Sequence, residues 1–416
     1  MTMGNLQYYH KIWLVMVFAW VTNYMVRVGL SPVLIPVMDE FGISYGEAGL
    51  LATAVFYSYT MMQLPAGHLG DRLGKKLIVI VATVGWGIAS LLTGLARTFV
   101  WFLAFRFMTG LAQGSFFSND RPIIAAYTPR EKMGVGQGVS FTGLGIGLAL
   151  GVLLAGVIAQ TLGWRWVFYL YSIPPMIAAL ALALIVREPP RTAQVASQDH
   201  VPYREVFRHR DIWMYALGGI AANYVLWVLG TWTPAMFQEI GVKELALAST
   251  FASLMGVAAV PGLLVAGAFS DWMVRRSKGR KAQIAGQMVM AGLCVALIGW
   301  AVQVKANPLI LALLVFVAGF FFWGIWAPAY ALVPDIVPPQ VLGTAFGLTN
   351  SIHFIGSLIA PWLTGFIKDA TLSFAGGAYV GALVTIVGAF FFLAIRPSFR
   401  LGTEPRIETA PARAAE

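Results

Sequence analysis

The sequence predicts an all-α membrane protein of twelve transmembrane helices, arranged as two six-helix pseudo-symmetric halves. Three observations carry that expectation. Of 416 residues, 58% are apolar and only 11% are charged, which is wrong for a water-soluble chain of this length and right for one whose solvent is lipid. Apolar stretches of about twenty residues, the length that crosses about 30 Å of hydrocarbon, recur along the whole chain. A short glycine-hinged charged turn, with Gly67, Asp71, Arg72, Gly74 and Lys75, has a degraded copy 200 positions later at Gly267 and Asp271.

In chain order the predicted spans fall near 12–36, 46–66, 77–96, 100–127, 134–160, 164–186, 211–236, 246–269, 282–303, 308–332, 341–367 and 373–395. Residues 1–186 form the first half and 211–395 the second. Between them, 187–210 is a polar linker with Arg187, Arg191, Arg204, Arg208 and Arg210, too short for a domain of its own. Beyond Arg396, the tail with Pro405 and Pro411 is expected to be a disordered end. The first stretch runs on past Arg27 with no small-residue cleavage site, so it reads as a retained helix and not a signal peptide.

The repeat has a definite register. At an offset of 200, Asn23 and Tyr24 match Asn223 and Tyr224, Gly67 matches Gly267 and Asp71 matches Asp271. At an offset of 209, Gly110 matches Gly319, Pro129 matches Pro338, and Gly134, Gly138, Gly147 and Gly156 match Gly343, Gly347, Gly356 and Gly365. An even number of spans per half gives both copies one orientation, related by an axis along the membrane normal. The glycines give spans 5 and 11 small faces for close helix approach.

The formal charge of +10 raises the question of a nucleic-acid partner, and its distribution excludes one. Of 28 Lys and Arg, five fall in outer loops (Arg97, Arg165, Lys243, Lys305, Lys368), three inside spans, and the other 20 in segments assigned to the cytoplasm. That positive-inside bias predicts a multi-pass protein of the inner (cytoplasmic) membrane with both termini cytoplasmic. One cysteine, Cys294, excludes an internal disulfide and a cysteine-based metal cluster, and no cofactor or metal is expected.

Arginine at mid-membrane costs about 2.5–3.5 kcal/mol on insertion scales, so each buried one is expected to face a cavity or a partner. In span 1, Asn23, Arg27 and Ser31 recur every four residues and share a helix face, with Tyr24 beside them. The Arg27 guanidinium is either a fork for a carboxylate or phosphate, or half of an internal pair with a span-4 acid. In span 4, Arg106, Gln113 and Asp120 recur every seven residues and drift only about 20° per step, so they also share a face. Asp120, the one carboxylate placed inside the hydrocarbon, is a candidate for proton coupling or for a structural pair with a base. Arg121 follows it, pointing about 100° away and close enough to the helix end to snorkel; with Arg106 it is read as a structural polar residue. His353 in span 11, with Asn350 one turn away, is a candidate for substrate contact or proton coupling, the plainer reading being a hydrogen-bonded core histidine.

The two copies differ systematically. Arg27 corresponds to Trp227, Arg106 to Val315, Gln113 to Phe322, Asp120 to Ala329 and Arg121 to Tyr330. Span 10 is aromatic from Phe320 to Trp326. A cavity between the halves would then have one cationic wall, from Asn23, Tyr24, Arg27 and Gln113, and one aromatic wall, from Trp227, Phe322 and Trp326, with Asn350 and His353 as polar points.

On these residues the chain resembles the major facilitator superfamily of transporters over nearly its whole length. Within it, the segments from Asn23 to Ser31, Arg106 to Gly114 and Gly163 to Tyr169 resemble the anion:cation symporter family of sugar-acid and phthalate-type permeases. That resemblance implies a small organic anion bound through the arginine that maps onto Arg27, with uptake coupled to protons. It also implies that Asp71 meets the N-terminus of span 11 and a nearby arginine when the outer side is open, Arg130 being a candidate partner. Two departures stand out. The family usually has an aspartate before the span-1 arginine and a glutamate in span 4, where this chain has Val26 and Gln113. Coupling is therefore expected at Asp120 or His353, or the protein is an uncoupled carrier or an exchanger. Drug/proton antiporters usually carry a glycine-proline motif in span 5, and Gly143 to Gly151 has no proline.

A membrane-embedded enzyme would need a compact nucleophile, acid or metal constellation, and no such motif is present in the sequence. A transporter-like solute sensor commonly adds a cytosolic output segment, and this linker and tail are short. The expectation is a secondary active carrier of a small organic anion, a monocarboxylate or aromatic acid, functional as a monomer and in contact only with solute, protons and lipid.

Overall fold

The computed structural model describes residues 7–129, 132–189, 208–276, 279–337 and 342–396. Twelve crossing units follow one another there in the predicted order. Span 1 is Tyr8–Val28, a 3-10 turn at Ser31–Val33, and Leu34–Phe41. Spans 2 to 6 are Tyr45–Leu73, Lys75–Leu95, Phe99–Tyr127, Met133–Leu162, and Trp164–Tyr171 with Ile173–Ile185. Spans 7 to 12 are Arg210–Glu239, Leu245–Val257 with Ala259–Arg275, Arg280–Gln303, Pro308–Ile336, Leu342–Thr371 and Ala375–Leu393.

Local chemistry explains the ends. Ser44 and Glu47 form a reciprocal capping box at the start of span 2, while Thr98 and Asn307 cap spans 4 and 10. Span 2 reverses into span 3 through Gly74 at φ +103°, a backbone region that side chains disfavour. Span 1 is not the unbroken helix the periodicity suggests: it breaks between Val28 and Ser31, ahead of Pro32, whose missing N–H cannot continue the helical ladder.

By length and composition alone, nine of the described crossing units qualify as membrane spans; spans 2, 4 and 11 are not among them. Span 4 shows why. It buries Arg106, Thr109, Gln113, Asn119 and Asp120 against other helices, which lowers its mean hydropathy, while Val100, Trp101 and Met108 lie exposed on its outer surface.

Spans 1–6 pack mainly on one another and spans 7–12 likewise. Two helix pairs make most of the join between the halves, span 2 with span 11 and span 5 with span 8, and the Ser31–Val33 turn of span 1 adds a smaller contact with span 7. By the repeat register these two joins are equivalent. Here "far face" means the face opposite the chain termini, and "terminal face" the other.

The halves meet at the far face and part toward the terminal face. Ser31 Oγ donates to the Thr231 carbonyl (2.7 Å) and Thr53 Oγ1 to the Leu358 carbonyl (3.1 Å), both across the join. Spans 5 and 11 record the divergence along a single face each. Gly156 and Gly365 are so close to the opposite half that an added Cβ would collide with span 8 or span 2. Gly138 and Gly347, five turns nearer the terminal face on those same helix faces, look onto open space among the described residues.

Candidate functional site

The span-4 stripe that sequence periodicity predicts is a seam with span 1. Arg106 donates to the carbonyls of Val26 (3.2 Å), Arg27 (3.0 Å) and Leu51 (3.4 Å). Its fully buried cation thus caps the C-terminal end of the first span-1 helix, where carbonyls lack helical partners and the dipole favours positive charge. Two turns along, Gln113 Nε2 donates to the Asn23 carbonyl (2.8 Å). Two turns further, Asp120 accepts from Trp20 Nε1 (2.7 Å).

Arg27 emerges from this seam into a cleft between the halves. Its Nε donates to Gln113 Oε1 (2.9 Å), and its Nη2 is buried with no hydrogen-bond partner. Three rings surround the guanidinium, with Tyr59 at 4.8 Å, Tyr24 at 4.9 Å and Phe56 at 5.8 Å. The cleft also takes in Ser31, Ala52, Trp227 and Thr231, and Phe56 and Trp227 pack across the join with centroids 4.3 Å apart. The partner of Arg27 is a neutral amide, so its charge is not cancelled there; none of the described ion pairs includes it. The reading of Arg27 as half of an internal pair with a span-4 acid does not hold.

Asp120 has a different environment. Arg121 folds back onto it, with Nη2 to Oδ2 at 2.7 Å and Nε to Oδ1 at 3.1 Å. That corrects the expectation that Arg121 points away and snorkels. Helical geometry fixes the Cβ direction only, and a long side chain can curl back to a buried carboxylate that needs donors. Arg121 Nη1 donates to Ser140 Oγ (2.7 Å), and its guanidinium lies 4.2 Å from the Phe141 ring centre. Phe141 in turn stacks on Tyr330 of the other half at 6.3 Å.

Other expected residues lie elsewhere. Phe322 is 1% exposed and packs on Trp323 and Trp326, outside the residues lining the Arg27 cleft. Trp326 and His353 are neighbours at 5.9 Å, and the Tyr215 ring lies 5.4 Å from the imidazole. His353 Nε2 and Asn350 Nδ2 are buried without partners, also outside that cleft. Asn23 faces span 4 with its carbonyl, and both polar atoms of its amide are unpartnered. Ser31, placed by the helix break, lines the cleft with its hydroxyl already committed to Thr231.

In the charged turn, Asp71 pairs with Lys75 on its own loop, and the Glu188 carboxylate accepts from the Lys75 and Lys76 backbone N–H groups (2.7 and 2.9 Å). Gly67 lies near Ser118, and Arg72 and Asp271 are exposed. Arg130 is outside the described residues. Phe56 and Tyr59 were missed by the sequence reading; their signal was an aromatic pair three residues apart in span 2, a spacing that puts both on one face.

A two-halved helical bundle, sealed at one face above a buried and uncancelled cation, is the architecture of a membrane solute carrier. The family model of the Major Facilitator Superfamily matches residues 13–361 and, in a second match, 279–415. The chain belongs to that superfamily, and it is a transporter and not an enzyme. It is similar to a probable sulfoacetate transporter of Cupriavidus necator, 25% identical over 93% of this chain and 94% of that one. A probable L-galactonate transporter of Escherichia coli is 26% identical over 92% and 89%. A hexuronate transporter of Bacillus subtilis is 25% identical over 91% and 93%. Among solved structures, a D-xylose-proton symporter superposes with a TM-score of 0.80 at 17% identity, covering 94% of this chain and 98% of that one. A bacterial homologue of the lysosomal transporter Spinster gives 0.77 at 18%, covering 94% and 96%. All three of the sequence relatives are named for organic anions.

Proposed function

We propose that the protein carries a small organic monocarboxylate by alternating access, its carboxylate held on Arg27 and its apolar or aromatic body against Tyr24, Phe56, Tyr59 and Trp227. The observation that carries this reading is Arg27 itself, whose partner is the neutral Gln113 and whose Nη2 is unsatisfied. A buried cation in that condition favours an anion, and a planar fork favours a carboxylate. The surrounding rings favour an apolar body over a polyhydroxylated one, since each hydroxyl left unpaired costs about 1–3 kcal/mol. The terminal face, with its concentration of Lys and Arg, is the cytoplasmic face of the inner membrane in this reading, and the halves part toward it at Gly138 and Gly347 while the residues around Arg27 stay buried. Coupling to protons is assigned to Asp120, whose protonation would weaken its hold on Arg121.

Calorimetric titration of the purified protein with benzoate and with a hexonate tests the substrate class. Tighter benzoate binding, lost in Arg27→Ala, is expected. Tighter hexonate binding would replace this reading with a sugar-acid carrier of the kind that the galactonate and hexuronate relatives are named for. Counterflow of the bound anion in liposomes separates a carrier from a sensor.

A further inference from the structure

Each of the two joins between the halves ends, at the far face, in the same contact. Where span 2 meets span 11, the Asp369 carboxylate accepts the backbone N–H groups of Tyr45 (3.0 Å) and Gly46 (2.8 Å), the first two residues of span 2. Where span 8 meets span 5, Gln160 Oε1 accepts the N–H of Ala246 (2.7 Å), the second residue of the first span-8 helix. Gln160 and Asp369 are 209 positions apart and Gly46 and Ala246 are 200 apart, the two offsets that define the repeat. One contact has been inherited twice.

Its physics is that of a helix cap supplied from the opposite half. The first N–H groups of a helix have no partner inside it and carry the positive end of its dipole. In span 2 the internal capping box satisfies the N–H groups of Ser44 and Glu47 and leaves those of Tyr45 and Gly46, which Asp369 takes. Span 8 has no side-chain cap from its own N-cap residue Glu244, and Gln160 supplies an acceptor. One turn before each acceptor stands a glycine, Gly365 or Gly156, so close to the opposite half that a side chain would push the helices apart.

We propose that Asp369 and Gln160 are the paired latches of the transport cycle, holding the far face closed and releasing whenever it opens. The proposal rests on reading the chain as an alternating-access carrier. It does not depend on which solute is carried. The contacts cross from one half to the other at the rim that must part, and a hydrogen bond does not survive stretching much beyond about 3.5 Å. The latches are unequal. Asp369 brings a charge and holds two donors, whereas Gln160 is neutral and holds one, and charge-assisted bonds are roughly twice as strong. Lys368, beside Asp369, is occupied by Glu239 at 2.9 Å, so it braces the rim of the second half without taking the latch carboxylate. The span 2–span 11 edge is therefore the tighter of the two.

The test measures opening of the far face directly. Cys294 is the single cysteine, so Cys294→Ser with Arg97→Cys and Val304→Cys places one spin label on an exposed far-face loop of each half. Pulsed electron–electron distance measurement on the reconstituted protein should give one short distance for the parent. Asp369→Ala should add a longer one, the open-to-closed ratio rising about tenfold, as expected from losing a charge-assisted bond. Gln160→Ala should shift it less, and Asp369→Asn, which keeps an acceptor oxygen, should fall between Asp369→Ala and the parent. If Asp369→Ala does not fold, Asp369→Asn and Gln160→Ala still carry the test. Distance distributions unchanged in every folded latch variant would overturn the proposal. Because no solute is added, loss of benzoate binding and loss of the latch effect are separate outcomes.

Discussion

The first and second copies of the repeat share a scaffold and differ in what they put on it. In the first copy three polar span-4 residues grip span 1, and Arg27 projects from the gripped segment. In the second, the equivalents Val315, Phe322 and Ala329 are buried apolar residues, and Trp227 stands where Arg27 does. The duplicated asparagines show the same split. Asn223 uses its amide inside its own half, on Gly219 and Ser357 (3.4 Å each), while the Asn23 amide is unpartnered. One copy holds a charge in place and the other shapes the space around it. Duplication allows this because the far-face joins, not the cleft, keep the halves equivalent, and so the cleft residues are free to diverge.

Substitutions can break that comparison or sharpen it. The largest expected effect is at Arg27. Arg27→Ala and Arg27→Lys should both raise the dissociation constant for benzoate roughly 10- to 100-fold, the value of a charge-assisted bond that an ammonium cannot reproduce as a fork. Wild-type affinity in both would end the idea that the first copy supplies the anchor. Next is Gln113→Glu, which sets a carboxylate where the amide now accepts from Arg27. Ionised at neutral pH, it should cancel the guanidinium and weaken benzoate binding about tenfold, a charge-assisted pair being worth at least that. Affinity should recover as the pH falls and the new carboxyl takes up a proton, so a flat pH profile would count against it.

Asp120→Asn should keep anion exchange in liposomes and lose the accumulation driven by a one-unit pH gradient, about tenfold for one coupled proton. Retained accumulation would move coupling away from the span 1–span 4 seam. In the second copy the effects should be smaller. Trp227→Ala removes one ring of the cleft and should weaken benzoate binding about three- to tenfold, as expected of an aromatic contact. Phe322→Leu, packed against Trp323 and Trp326, should leave the dissociation constant within about twofold, since the volume it loses lies away from the proposed ligand. A larger loss would put span 10 on the cleft.

Much of this arrangement is legible in the sequence, and the illegible part has a physical cause. Apolar length gives the spans, and the seven-residue spacing of Arg106, Gln113 and Asp120 gives a shared face. Spacing does not say what that face meets, and it meets span 1. The rotation of span 10 about its own axis is equally hidden, which is why Phe322 was expected on the cleft and is instead buried against Trp323 and Trp326. Arg121 was misplaced because the reach of a long side chain is not fixed by helix phase. Asp369 and Gln160 read in sequence as polar residues at span ends; only the fold shows whose N–H groups they accept.

The break in span 1 has a mechanical consequence. Arg106 clasps the carbonyls of Val26 and Arg27, so the residue proposed to grip the solute has its own backbone gripped by span 4. A pull on the Arg27 side chain therefore has little slack to take up locally. Beyond the break, the short Ser31–Val33 turn is tied through Ser31 to Thr231 in the opposite half. An anion held by Arg27 as proposed would therefore load a segment tied on one side to span 4 and on the other, through Ser31, to the opposite half.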